Sequence, residues 1–150
     1  MKGSKVTNEF LKRMNIETSD SAIDLNKIVR KMLTNYVDIL FKERFSDKYE
    51  LLCCLDTNGR FIYICPNHIN VMGFYPEELC GMNGFEIIHP EDVNRMNEFL
   101  IEMLNSKQPK VVIYRINHKL GHWLTMKSIC TPYIIDGEVA AMINFSNRCY

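Results

Sequence analysis

The first 47 residues contain no proline and one glycine, Gly3, whereas all five prolines and the other glycines lie beyond them. A segment free of the two strongest helix breakers can run as a long helix. A segment interrupted at Pro66, Gly73, Pro76, Gly81 and Pro90 must be assembled from short pieces. The chain therefore divides into an N-terminal helical extension, residues 1–47, and a folded domain, residues 48–150. With 150 residues in all, there is room for one full core and an appendage, not for two cores.

In the extension, Leu25, Ile28, Val29, Met32, Leu33, Tyr36, Val37 and Leu40 recur at helical spacing, which predicts an amphipathic helix over residues 21–45. Ser21 and Asp24 suit a capping box at its start. Leu25, Val29, Met32, Tyr36 and Ile39 step by four and three, as a short dimerisation seam does. Leu33, Val37 and Leu40 widen the stripe, so the helix is also expected to pack on its own domain.

Beyond residue 48 the pattern is that of strands and turns. Residues 49–55 and 60–65 read as a hairpin joined at Asp56-Thr57-Asn58-Gly59. Pro76-Glu77-Glu78 and Pro90-Glu91-Asp92 each place proline at a first helical position, followed by carboxylates that favour the helix N-terminal dipole. The second opens a long helix over residues 91–105. Three strands follow, at 110–118, 122–133 and 138–145, the last two joined by Ile135-Asp136-Gly137. The expectation is an α+β fold, a five-stranded antiparallel sheet with helices across one face, plus the N-terminal amphipathic helix.

Composition removes several function classes. Lys+Arg and Asp+Glu balance at 18 each, so no overall field recruits nucleic acid or an anionic membrane. Apolar runs stop at five residues, such as Leu51–Leu55, and a spanning helix needs about 20. The basic start, Met1-Lys2-Gly3-Ser4-Lys5, leads into no apolar stretch, and a soluble, cytoplasmic chain is expected. Of the six cysteines, Cys53, Cys54, Cys65 and Cys130 sit in apolar strand-like runs, where reduced, buried thiols are the simpler reading.

Several pieces now stand in a telling order: Asp56-Thr57-Asn58-Gly59-Arg60-Phe61-Ile62-Tyr63, then Met72-Gly73-Phe74-Tyr75-Pro76-Glu77-Glu78-Leu79-Cys80-Gly81, then Ile88-His89-Pro90-Glu91-Asp92. Tyr114-Arg115 and Gly121-His122-Trp123-Leu124 come after them. In this order and spacing, residues 49–147 resemble the PAS sensor domain family. The family's closing Asp-Ile-Thr is replaced by Ser146-Asn147-Arg148.

The resemblance implies a cavity between sheet and helices that holds haem, flavin, a small metabolite or nothing. Light-sensing members carry a cysteine that attacks flavin, and Gly84 stands at that position here, so no adduct can form. One class of haem-binding members ligates iron through a histidine on the long helix, and residues 91–106 contain none. No other cofactor is indicated. His118 and His122 flank a hairpin turn, but two histidines fall short of a zinc site. His89 is expected to help start the long helix, and His68 to be a pocket or surface polar group. No local motif presents a nucleophile, and no glycine loop cradles phosphate.

Strand alternation puts Val112, Tyr114 and Ile116 on one face with Leu124, Met126, Ser128 and Cys130. With the family architecture, this predicts ligand contacts from Ile64, Ile88, Met96, Tyr114, Leu124 and Met126, Tyr114 being the hydrogen-bonding group. The opposite face, with Val111, Ile113, Trp123 and Ile129, is apolar enough to need a cover, and the 21–45 helix is the candidate. The function expected is a non-enzymatic sensor or interaction domain, homodimeric, serving an output domain, partner kinase or transcription regulator. It binds a small molecule or relays a partner's state, without direct nucleic-acid or membrane contact. The alternatives are a ligand-free dimerisation module and, further off, a small cavity enzyme.

Overall fold

The computed structural model describes residues 35–37 and 48–150. The predicted helix over residues 21–45 lies outside the described residues except at Asn35–Val37, which are helical. From residue 51 the order is β1 (Leu51–Asp56), β2 (Phe61–Ile64), α1 (His68–Met72), α2 (Pro76–Leu79), a 3-10 turn (Gly84–Ile87), α3 (Pro90–Ser106), β3 (Lys110–Asn117), β4 (Trp123–Ile135) and β5 (Glu138–Arg148).

The turns form for the reasons their residues suggest. Asp56 Oδ1 accepts from the backbone N–H groups of Asn58 at 2.9 Å and Arg60 at 3.0 Å. Gly59 completes that turn at φ +82°, where a side chain would be strained. At the start of α2, Glu78 Oε2 accepts from the N–H of Tyr75 at 2.8 Å. At the start of α3, His89 Nδ1 accepts from the N–H of Glu91 at 3.1 Å, with Pro90 following it.

All strand pairs are antiparallel, and the sheet order is β2-β1-β5-β4-β3. The last strand thus enters the centre, between the first and the fourth. The helical run leaves from the β2 edge and the chain re-enters the sheet at the opposite edge. Strands β4 and β5 outrun the apolar pattern, to Ile135 and Arg148. The extension of β5 follows from Glu50, whose carboxylate accepts from the Arg148 N–H at 2.9 Å and from its guanidinium at 2.9 and 2.6 Å.

The register sorts the two faces. Cys53 is opposite Ile64 on one side and Asn144 on the other, and Asn144 is opposite Cys130. These share the helix-covered face with Leu51, Met126 and Met142. Cys54, paired with Tyr63 and Ile143, belongs to the other face. Adjacent cysteines of a strand thus point apart, and all six cysteines are free thiols. On the outer face, Leu52, Cys54, Ile143 and Phe145 are nonetheless buried. Tyr36 lies against this face, its ring 5.6 Å from that of Tyr133, and Val37 beside it is fully buried in the same core. Towards the β3 edge the outer face is open, and Val111, Ile113 and Trp123 are about half exposed.

Candidate functional site: a cavity between sheet and helices

The concave face of the sheet and helices α1 and α3 enclose a cavity of about 100 Å³. Its walls are mostly apolar because alternate residues along β1, β3, β4 and β5, among them Cys53, Ile116, Met126 and Met142, reach it. Sulfur is unusually frequent there: Met72, Met96, Met103, Met126 and Met142 line it, with Cys53 and Cys130. Methionine is unbranched and polarizable, so such walls can adjust to an occupant.

Polar groups are few and specifically placed. Tyr114 Oη lies 2.8 Å from Ser128 Oγ, which lies 2.6 Å from Ser146 Oγ, so three hydroxyls from β3, β4 and β5 form one cluster. Tyr114 and Ser146 line the cavity, and Ser128 is buried behind them. Asn144 Oδ1, also in the wall, is sealed from solvent and accepts no hydrogen bond from a described residue. His68 is 4% exposed at the start of α1. Its Nδ1 lies 2.9 Å from the carbonyl oxygen of Cys65 and 3.3 Å from the Cys65 Sγ; a carbonyl only accepts, so we assign the proton to Nδ1.

Burial sets the charge state of this site. It pushes the Tyr114 phenol and the Cys130 thiol up to about 12, raises the Cys53 thiol well above its usual range, and lowers His68 to about 4. Among the described residues no Asp, Glu, Lys or Arg lines the cavity. At neutral pH its wall is therefore uncharged.

Of the residues expected at a ligand, Ile88, Met96, Tyr114 and Met126 line the cavity, and Ile64 and Leu124 do not. Ile64 ends β2 at the sheet edge and is packed into the core at 4% exposure. Leu124 faces the same way as Met126 but lies one step nearer the Gly121 turn, where it packs on the core from the margin. Sequence reasoning left His68 between pocket and surface, put Cys130 on the inner face without naming it a ligand contact, and missed Cys53 and the β5 groups Met142, Asn144 and Ser146. Alternation along β5 carried the signal for those last three. Of the seam residues, Tyr36 is described, and Leu25, Val29, Met32 and Ile39 lie outside the described residues.

Other candidates resolve into local chemistry. The rings of His118 and His122 stack, centroids 4.3 Å apart, an arrangement that does not aim two nitrogens at one ion. Among the described residues no three His, Cys, Asp or Glu side chains gather as metal ligands. A Cβ on Gly84 would lie 3.1 Å from Leu55 Cδ2 and 3.3 Å from the backbone oxygen of Gly59, so a side chain there has little room. Among the described residues no helix is long and apolar enough to cross a membrane.

Comparison with known proteins agrees with this architecture. The family model described as PAS fold matches residues 61–145, more than half of the chain. Basic helix-loop-helix ARNT-like protein 2 of Homo sapiens is 30% identical over 101 residues, 63% of this chain and 16% of that protein. The aryl hydrocarbon receptor nuclear translocator homolog of Drosophila melanogaster is 26% identical over 96 residues, 61% of this chain and 15% of its own length. The chain thus spans about one sixth of these relatives. The solved Drosophila melanogaster Cycle PAS-B, with bound ethylene glycol, superposes with a TM-score of 0.62 at 20% identity, over 66% of this chain and 99% of that one. From its strand order, its cavity and this match, the chain belongs to the PAS fold family.

Proposed function

We propose that this PAS domain is a non-enzymatic sensor and interaction module that holds a small molecule between its sheet and helices. The observation that carries the reading is the cavity of about 100 Å³ with a hydroxyl cluster in an otherwise apolar wall. A packed core has few voids larger than a water, and this one has room for several. The structurally similar Cycle PAS-B was solved with bound ethylene glycol, a molecule small enough for a space of this size. Ligand contacts come from Ile88, Met96, Tyr114 and Met126.

In the same reading, residues 48–150 are the sensing unit and residues 1–47 the extension that caps it and pairs with a second copy through Leu25, Val29, Met32, Tyr36 and Ile39. An output domain, partner kinase or transcription regulator receives the signal, and the setting is cytoplasmic. The regulatory names of the relatives favour this over a cavity enzyme. A ligand-free dimerisation module is the second reading, supported by the open apolar strip of Val111, Ile113 and Trp123. Native mass spectrometry of protein purified from cells decides between them. A mass excess that disappears on denaturation is expected, and a bare chain mass under gentle conditions would favour the second reading.

A further inference from the structure

We infer that the cavity selects a small uncharged molecule bearing an O–H or N–H group that donates to Nε2 of His68. This rests on the cavity-binding reading above and adds the ligand's chemistry to it. With the proton on Nδ1, directed at the Cys65 carbonyl at 2.9 Å and with the Cys65 Sγ at 3.3 Å, Nε2 keeps a free lone pair. No described residue bonds to Nε2, and unlike Asn144 Oδ1 it is not among the buried polar atoms sealed off without a partner. A side chain this buried normally has its polar atoms satisfied, and this one lines an open space. The missing partner is a donor from within the cavity.

Size and charge narrow the class. A cavity of about 150 Å³ accommodates benzene, so one of about 100 Å³ suits roughly four to six non-hydrogen atoms. An anion entering it meets no cationic side chain among the described residues, and an unpaired charge taken out of water is strongly disfavoured. Burial keeps His68 neutral at pH 7, which preserves its acceptor role. The body of the ligand then rests on Met72, one helical turn from His68, and on Met103 and Met126.

The test uses the full chain labelled with 13C at methionine methyls and 15N in histidine rings. Isobutanol, of about the right size, and isobutyrate, its anionic counterpart, are titrated at pH 7 through the range of about 1 mM and above that so few atoms can command. Isobutanol is expected to shift the Met72 and Met126 methyls saturably, leave Met82 in place, and move the His68 Nε2 resonance towards its hydrogen-bonded position. Isobutyrate is expected to move none of these. His68→Phe should weaken isobutanol binding about three- to tenfold, the loss of one hydrogen bond. If the methyls saturate while Nε2 stays still, the acceptor role is wrong although the cavity binds ligands. If isobutyrate binds as well as isobutanol, the uncharged class is wrong. If neither probe moves any cavity signal, the cavity-binding reading itself falls.

Discussion

Asp92 shows how one residue fixes the frame around the cavity. It sits in the first turn of α3 at 7% exposure, facing β3 across the domain edge. Its Oδ2 accepts from the Arg115 N–H at 2.9 Å and Nε at 3.0 Å, and its Oδ1 from Nη2 at 2.9 Å. The Arg115 guanidinium therefore holds the Asp92 carboxyl well below its usual value of 3.8. A carboxyl with a depressed folded pKa stabilises the fold above its unfolded pKa, and that contribution fades as pH falls towards the folded one. Asp92→Asn should therefore lower the urea midpoint by a constant amount from pH 7 down to about 5. Below about pH 4 the gap between the two proteins should narrow. A gap that stays constant down to about pH 2 would mean that the charge contributes nothing.

Among the elements, the β4–β5 hairpin matters most, because it brings β5 into the centre of the sheet. Its two turn residues, Asp136 and Gly137, have φ of 51° and 81°, the pair of left-handed conformations that a two-residue hairpin turn requires. Nothing lies within 4 Å of a Cβ placed on Gly137, so a side chain there meets backbone strain alone. Gly137→Ala should cost about 1 kcal/mol, measured by urea unfolding, with the folded spectrum unchanged. An unchanged midpoint would show that the turn relaxes to another type. Lys107, at the end of α3, donates to the Gly137 carbonyl at 2.6 Å and ties the long helix to this same turn.

For the whole molecule, the open question is what meets the outer face. Tyr36 is 45% exposed although its ring lies against Tyr133, so one side of it remains available. A seam through Met32 and Tyr36 would place that side against a second copy. Replacing both by glutamate would bury charges at such a contact, which is costly without partners. The double variant Met32→Glu/Tyr36→Glu should therefore sediment as a monomer where the parent sediments as a dimer, with strand content by circular dichroism retained. A parent already monomeric at tens of micromolar, roughly 50 μM, would overturn the dimer.

The sequence alone determined the sheet and its punctuation, because those depend on local chemistry. The proline and glycine positions set the element boundaries, and alternation in 110–118 and 122–133 assigned their faces, Tyr114 and Met126 inward together. His89 was legible as a helix starter because capping is a contact between near neighbours. The cavity's polar layout was not legible. His68 becomes a directed acceptor only because the chain after β2 folds its Nδ1 onto the Cys65 carbonyl and buries the ring. The hydroxyl cluster joins residues from three strands whose adjacency is set by β5 entering beside β1, a long-range pairing that no local pattern specifies. Ile64 and Leu124 were read as ligand contacts because alternation gives the face of a strand but not how far along that face the cavity reaches. That distance is decided by where α1 and α3 close over the sheet, and so by tertiary packing.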